Sequence, residues 1–322
     1  MSDSRQRIDP SEVPPKRFPP RLAIGLSALA LLGLTGCGPS NEPSDTFPIS
    51  TSPAIQSPQV SSTAASSTAP TPTIQKTTPD PRPTPTIAGT WFLPPSKVPK
   101  SAVLRGKIIG VDPGHNGANG AHPEIINKLV WDGRERKACN TTGTATNAGY
   151  TESRFNFKVA QLLIADLRRQ GATVVTTRST DRGVGPCIDQ RAKIINAAKA
   201  DVSISIHADG GPSQGRGFAI LQPVADGPNN AVINDSVRFG SALKNSLIKS
   251  TPLPPSTYDG VGGFNFRSDL GALNLTTVPA VLLEVGNMRN KTDADLLSSS
   301  AFQEHVALAI DQAIVSFLTK SK

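Results

Sequence analysis

From Ser101 to Lys322, short apolar runs of strand length alternate with longer segments of helical spacing, which confines this part of the chain to an α/β fold. Three of the runs have polar endings: Lys107-Ile-Ile-Gly-Val-Asp-Pro-Gly-His115, Val202-Ser-Ile-Ser-Ile-His207 and Ala280-Val-Leu-Leu-Glu284. Each reads as a buried strand whose last position carries a metal-binding or proton-transferring group. In open α/β sheets, chemistry collects outside the carboxyl ends of the strands. Two histidines and a carboxylate at such ends imply one site, with zinc as the expected metal.

The pattern predicts strands at Ile108–Val111, Thr173–Thr177, Val202–Ile206, Phe218–Leu221 and Val281–Glu284. It predicts helices near Glu152–Gln170, Asp189–Lys199, Asn234–Lys249 and Ala301–Leu318. The expected architecture is a single domain with a central twisted sheet, mixed but mostly parallel, flanked by helices. Residues 116–151 are a long Gly- and Asn-rich connection, which in a compact domain means function or disorder. Part of that stretch, pinned by Cys139, is expected to cover the metal site. The Gly-rich run Gly260–Phe264 reads as an ordinary flexible loop rather than a substrate groove.

Glu152 falls on the apolar stripe of its helix, with Phe155, Val159, Leu162, Leu163 and Leu167. A carboxylate in a first turn either complements the helix dipole or points inward for a reason. Asp166 also lies near the stripe, so the stripe alone favours the dipole. With His115 and His207 alongside, the ligand reading is the better one, since catalytic zinc takes three protein ligands and leaves one position for water. The other two of the four histidines serve as contrasts: His122 sits in a loop and His305 at an exposed position of the last helix.

The first hundred residues differ in kind. They hold most of the 29 prolines, and from Gly38 to Lys100 the chain is mainly Pro, Ser, Thr and Ala. Such a stretch buries too little apolar surface to order itself. As a linker it spans roughly 45 Å when coiled. Ahead of it, Arg5, Arg7, Lys16, Arg17 and Arg21 precede the apolar run Leu22–Leu34, which ends in Leu-Thr-Gly-Cys37. A basic segment, a short apolar segment and small residues make a secretory signal. The last four residues look like a bacterial lipobox, in which Cys37 takes the lipid. The expected organisation is a lipoprotein signal peptide at 1–36, a linker at 37–100 and a catalytic domain at 101–322.

The net charge of +8 is dispersed, with no aromatic-interleaved basic cluster, so nucleic acid is not an expected partner. Of the three cysteines, Cys139 and Cys187 remain once Cys37 is set aside. In an exported domain such a pair reads as a disulfide. A thiolate ligand or a nucleophile would be the alternatives, but neither cysteine has a histidine neighbour in sequence. The Asp-Pro-Gly-His-Asn-Gly loop lacks the Gly-Lys-Ser/Thr of a phosphate cradle, and no His-Glu-x-x-His is present.

These residues resemble the zinc-dependent N-acetylmuramoyl-L-alanine amidases of the type-3 class, in their minimal single-domain, actinobacterial-like form. The resemblance runs from about 105 to 320. It is carried by Val-Asp-Pro-Gly-His115, Thr-Glu152-Ser, Thr-Thr-Arg178, Gln-Arg191-Ala-Lys-Ile-Ile-Asn196, Ala200-Asp201-Val-Ser-Ile-Ser-Ile-His207-Ala-Asp and Val-Pro-Ala-Val-Leu-Leu-Glu284-Val-Gly-Asn, then by Asn290 and Asp293. It implies a zinc exopeptidase-like fold and one zinc ion held by His115, Glu152 and His207. Glu284 would be the catalytic carboxylate, and peptidoglycan or its muropeptide fragments the substrate. The protein is then expected as a monomer on the outer face of the cytoplasmic membrane, tethered through Cys37 and facing the cell wall. Two positions depart from the family pattern: Asn287 stands where an aromatic or apolar residue is usual, and Asp209 where Asn is usual. The competing readings are a catalytically dead muropeptide binder and a zinc peptidase that cuts within the stem peptide.

Overall fold

The structure is a computed structural model that describes residues 91–93, 102–225 and 227–319. Cys37, the signal segment and most of the linker lie outside the described residues.

Seven strands form the main sheet: β1 (Trp91–Leu93), β2 (Ile108–Pro113), β5 (Thr173–Thr176), β6 (Val202–Asp209), β7 (Ala219–Pro223), β8 (Phe264–Arg267) and β9 (Ala280–Asn287). Their order is β1-β5-β2-β6-β9-β7-β8. The centre, β5-β2-β6-β9, is parallel, whereas β1 on β5 and β7 on β9 are antiparallel. The sheet is thus mixed and mostly parallel, as its near-continuous apolar runs imply. Helices α2 (Glu152–Arg169), α4 (Ile233–Ser250) and α7 (Ser300–Thr319) cover one face. Phe155, Leu163, Phe239, Leu243, Val306 and Ile310 from these helices pack against Ile109, Ile204, Ile206 and Leu283 of the strands. The second face is thinner. There α3 (Ile188–Ala197) places Ile194 and Ile195 against Val175. The short α5 (Gly271–Asn274) places Leu273 beside Leu221 and Leu282.

The structure corrects several expectations. The linker does not run unbroken to Lys100, because Trp91–Leu93 pairs with the open edge of β5; an edge strand offers unpaired backbone groups that a short apolar segment can satisfy. β6 and β9 do not end at His207 and Glu284. They continue to Asp209 and Asn287, which pair across a bulge, and Met288 N–H donates to the Asp209 carbonyl at 2.7 Å. Two short elements have no long periodic run to betray them: β8, directly after the Gly-rich turn, and α6 (Lys291–Leu297), capped by the Asn290 side chain.

Residues 116–151 are folded, and part of them borders the cavity beside His115 and His207. They hold the short helix α1 (Pro123–Ile126) and a hairpin of β3 (Leu129–Trp131) and β4 (Arg136–Ala138). The Cys139–Cys187 disulfide ties the exit of the hairpin to the start of α3, and Ile188 N–H donates to the Cys139 carbonyl at 2.8 Å. The bridge closes a sequence separation of 48 residues. In the chain-entropy picture it contributes about 4 kcal/mol. Reduction, or a Cys139→Ser/Cys187→Ser double variant, is expected to lower Tm by about 8–16 °C in calorimetry.

Among the described residues, no helix is long and apolar enough to cross a membrane.

Candidate metal centre

Three elements bring together three side chains that could hold a metal ion. His115 lies two residues past the end of β2, in a turn where its φ is +56°. Glu152 opens α2, and His207 lies on β6. The Glu152 Oε1 atom is 3.1 Å from His115 Nε2 and 2.9 Å from His207 Nδ1. The three groups offer ligand atoms that all lie within 4.8 Å of one another. Tetrahedral zinc with nitrogen and oxygen ligands at about 2.0–2.1 Å sets neighbouring ligand atoms roughly 3.3 Å apart, so the arrangement suits that ion in spacing and donor type.

The surroundings fix each of the three side chains. Glu152 is buried; its Oε2 accepts from Thr144 N–H at 2.9 Å, and its Oε1 from Ala208 N–H at 3.3 Å. Both sequence readings of Glu152 therefore hold together: it sits in the first turn and also points inward. The Nδ1 atom of His115 faces the Thr141 carbonyl at 3.2 Å, which leaves Nε2 turned toward Glu152. The Gly in Asp-Pro-Gly-His is dictated by His207, since a Cβ on Gly114 would stand 2.1 Å from the His207 ring. Burial alone would raise the Glu152 carboxyl, but the two imidazoles outweigh it and hold the group below the ordinary carboxylate range. Burial pushes His207 down, partly offset by its bond to Glu152, so its imidazole is neutral at pH 7. Neutral imidazole and ionised carboxylate are the forms that bind a metal.

Glu284 stands beside this group. It pairs in register with His207 across β6 and β9, on the face opposite the large core. Its Oε2 is closed off from solvent and has no hydrogen-bond partner among the described residues. Burial, and then the charges of Glu152, Asp209 and Asp259, raise its carboxyl well above the usual range. A buried polar atom left unbonded costs about 1–3 kcal/mol. In the folded domain without metal, a raised pKa means that stability is full at low pH and is lost as pH rises through the folded value. Glu284→Gln mimics the protonated form. It is therefore expected to raise the Tm of the metal-free domain at neutral pH, a gain that disappears on acidification; calorimetry across pH checks it.

A cavity of about 350 Å³ opens beside His115 and His207. Ser205 and Leu282 form its floor, Lys137 and Ala138 of the hairpin one wall, and Ile188, Leu270 and Ala272 the others. The hairpin is a wall of the site, held by Lys137 Nζ donating to the Asp269 carbonyl at 2.8 Å. His122 pairs with Glu124 at 3.0 Å and His305 is exposed on α7; neither joins the centre.

The two departures from the family pattern have structural places. Asn287 is buried and donates to the Pro212 and Gly215 carbonyls, fixing the loop after β6. Asp209 accepts from the Tyr258 hydroxyl at 2.8 Å. Tyr258 is the neighbour that sequence reasoning missed, because a lone Tyr ahead of a Gly-rich run has no periodicity to mark it.

The family profile described as N-acetylmuramoyl-L-alanine amidase matches residues 109–316, a span that contains all four residues of the centre. The chain belongs to this family. The N-acetylmuramoyl-L-alanine amidase Rv3717 of Mycobacterium tuberculosis is 37% identical over 219 residues, covering 67% of this chain and 88% of that relative. Two solved structures of N-acetylmuramyl-L-alanine amidases named Ami1 are similar to it. The one from Mycobacterium smegmatis is 41% identical with a TM-score of 0.63, covering 67% of this chain and 98% of its own. An apo form from Mycobacterium abscessus is 42% identical, also with a TM-score of 0.63, and is covered completely (100%). The single α/β domain with its mostly parallel mixed sheet is the fold of these amidases.

Proposed function

We propose that this chain is a zinc-dependent peptidoglycan hydrolase. It cleaves the amide bond between the lactyl group of N-acetylmuramic acid and the L-alanine of the stem peptide. The observation that carries this reading is the convergence of His115, Glu152 and His207, with the unbonded Oε2 of Glu284 at the adjoining strand position. Family membership supplies the bond.

His115 Nε2, Glu152 Oε1 and His207 Nδ1 would hold the ion. When bound, zinc supplies a Lewis acid for the amide carbonyl and for water. Glu284 takes the proton of the attacking water on its carboxylate and returns it to the departing L-alanine nitrogen. Thr141 orients His115 through Nδ1, and Glu152 carries the one formal negative charge among the ligands. The mainly apolar cavity beside the centre receives the uncharged part of the substrate next to the scissile bond. The catalytic domain is exported and tethered by a lipid on Cys37. The intervening segment lets it reach the wall.

The test is metal dependence. A strong chelator is expected to abolish release of peptide amine from a soluble muropeptide, and one equivalent of zinc per chain to restore it. Full activity after metal removal would contradict the proposal.

A further inference from the structure

Behind the centre lies a charged network that the reaction does not use. The carbonyls of three successive residues, Pro113, Gly114 and His115, are held by two buried guanidinium groups. Arg178 donates to Pro113 O (Nε, 2.9 Å) and to Gly114 O (Nη2, 3.2 Å). Arg191 donates to Pro113 O (Nη1, 2.8 Å) and to His115 O (Nη2, 2.7 Å). Both arginines are almost fully covered, at 4% and 3% exposure. Burial, and then the neighbouring Arg191, lower the Arg178 pKa to about 10.

The buried counter-ion is Asp112. One carboxylate oxygen accepts from Arg191 Nη1 at 2.6 Å and the other from the Ser205 hydroxyl at 2.7 Å. Ser205 lies two residues before His207 on the same face of β6. A continuous path therefore joins the two histidines behind the metal position: His115 carbonyl, Arg191, Asp112, Ser205, His207. At one end His115 adopts a left-handed φ, which costs a non-glycine residue about 1–2 kcal/mol. The Arg191 bond to its carbonyl is the shortest that either arginine makes to the turn.

Arg191 is paired with buried Asp112 and Arg178 with the partly exposed Asp181 at 2.9 Å; burying ion pairs in this way is a poor route to stability, because apolar residues of similar volume commonly do as well or better. What the fork geometry of Arg provides is several fixed bonds in one plane, which Lys cannot reproduce. We propose that Arg191, with Asp112, Ser205 and Arg178, is a positioning device that sets zinc affinity by holding the His115 turn against the β6 strand at the ligand spacing. This rests on the reading of His115, Glu152 and His207 as zinc ligands. Partners behind a metal ligand are typically worth about 10–100-fold in affinity.

The test uses the full protein freed of metal, with zinc affinity measured by chelator competition well below Tm. Cobalt(II) absorption reports ligand geometry. Arg191→Lys is expected to weaken zinc about 10–100-fold and to change the cobalt spectrum. Ile310→Val trims the large apolar cluster under α7, away from the centre; it is expected to lower Tm and leave both metal readouts alone. Ser205→Ala removes the side-chain link from Asp112 to β6, while the backbone bond from Gly114 N–H to the Ile206 carbonyl at 2.9 Å and both arginines stay in place. It serves if Arg191→Lys does not fold, and is expected to weaken zinc several-fold. A purely structural network would instead cost Tm while folded Arg191→Lys and Ser205→Ala bind zinc and cobalt as the wild type does, which would overturn the proposal. A wild-type protein that takes up no zinc would overturn the underlying reading of the ligands, a result separate from any difference between variants.

Discussion

Glu284→Gln is expected to lower kcat on a soluble muropeptide by about 10²–10⁴-fold, the usual worth of a positioned general acid and base, while zinc remains bound at full stoichiometry. The physical reason is local. Oε2 of Glu284 is the one carboxylate oxygen at the centre that is buried and unbonded, and the glutamate is absent from the ligand group. The amide of Gln keeps the shape and removes the basic oxygen. Metal analysis and steady-state kinetics on the same sample check both halves. A variant that turns over near the wild-type rate would remove Glu284 from the chemistry, and one that loses zinc would move it into the ligand set.

His207→Ala is expected to do the reverse and lose the metal itself. Even the partners behind a ligand are worth about 10–100-fold, so deleting a ligand should weaken zinc by at least about 10³-fold. The fold should survive, because the apolar cluster that joins α2, α4 and α7 to the sheet does not include His207. Zinc at about a thousand times its Kd stabilises the wild type by about 4 kcal/mol, roughly 8–16 °C in Tm. For His207→Ala that shift should vanish. Thermal melts with and without zinc read the difference directly, and a retained shift would mean that the metal sits elsewhere.

The particular residues show what sequence could and could not reveal. His115, Glu152, His207 and Glu284 were legible because each interrupts or ends an apolar run, where a polar group needs a reason to be. The disulfide was legible from an even pair of cysteines behind a segment that reads as a secretory signal, and it is formed. Strand ends were not legible. β6 and β9 continue past His207 and Glu284 through a bulge and cross-strand partners that only the sheet supplies. Part of residues 116–151 reads as cover because the connection is long, but the hairpin of β3 and β4 was not legible; its place as a wall depends on the bridge at Cys139 and on Lys137 reaching Asp269, far away in sequence. Arg178 and Arg191 were visible as parts of motifs, but their joint hold on the His115 turn exists only in three dimensions. Tyr258 belongs with them, since its partner Asp209 is 49 positions away.

The central claim is tested most directly by the identity of the products. The purified protein, with and without a zinc chelator, is incubated with defined muropeptides, and the products are assigned by mass spectrometry. The expected result is a free peptide beginning with L-alanine together with intact N-acetylmuramic acid, lost on chelation and restored by zinc. Cleavage within the stem peptide would make the protein a peptidase, and no cleavage by the folded, zinc-loaded protein would make it a binding module; either result would contradict the account.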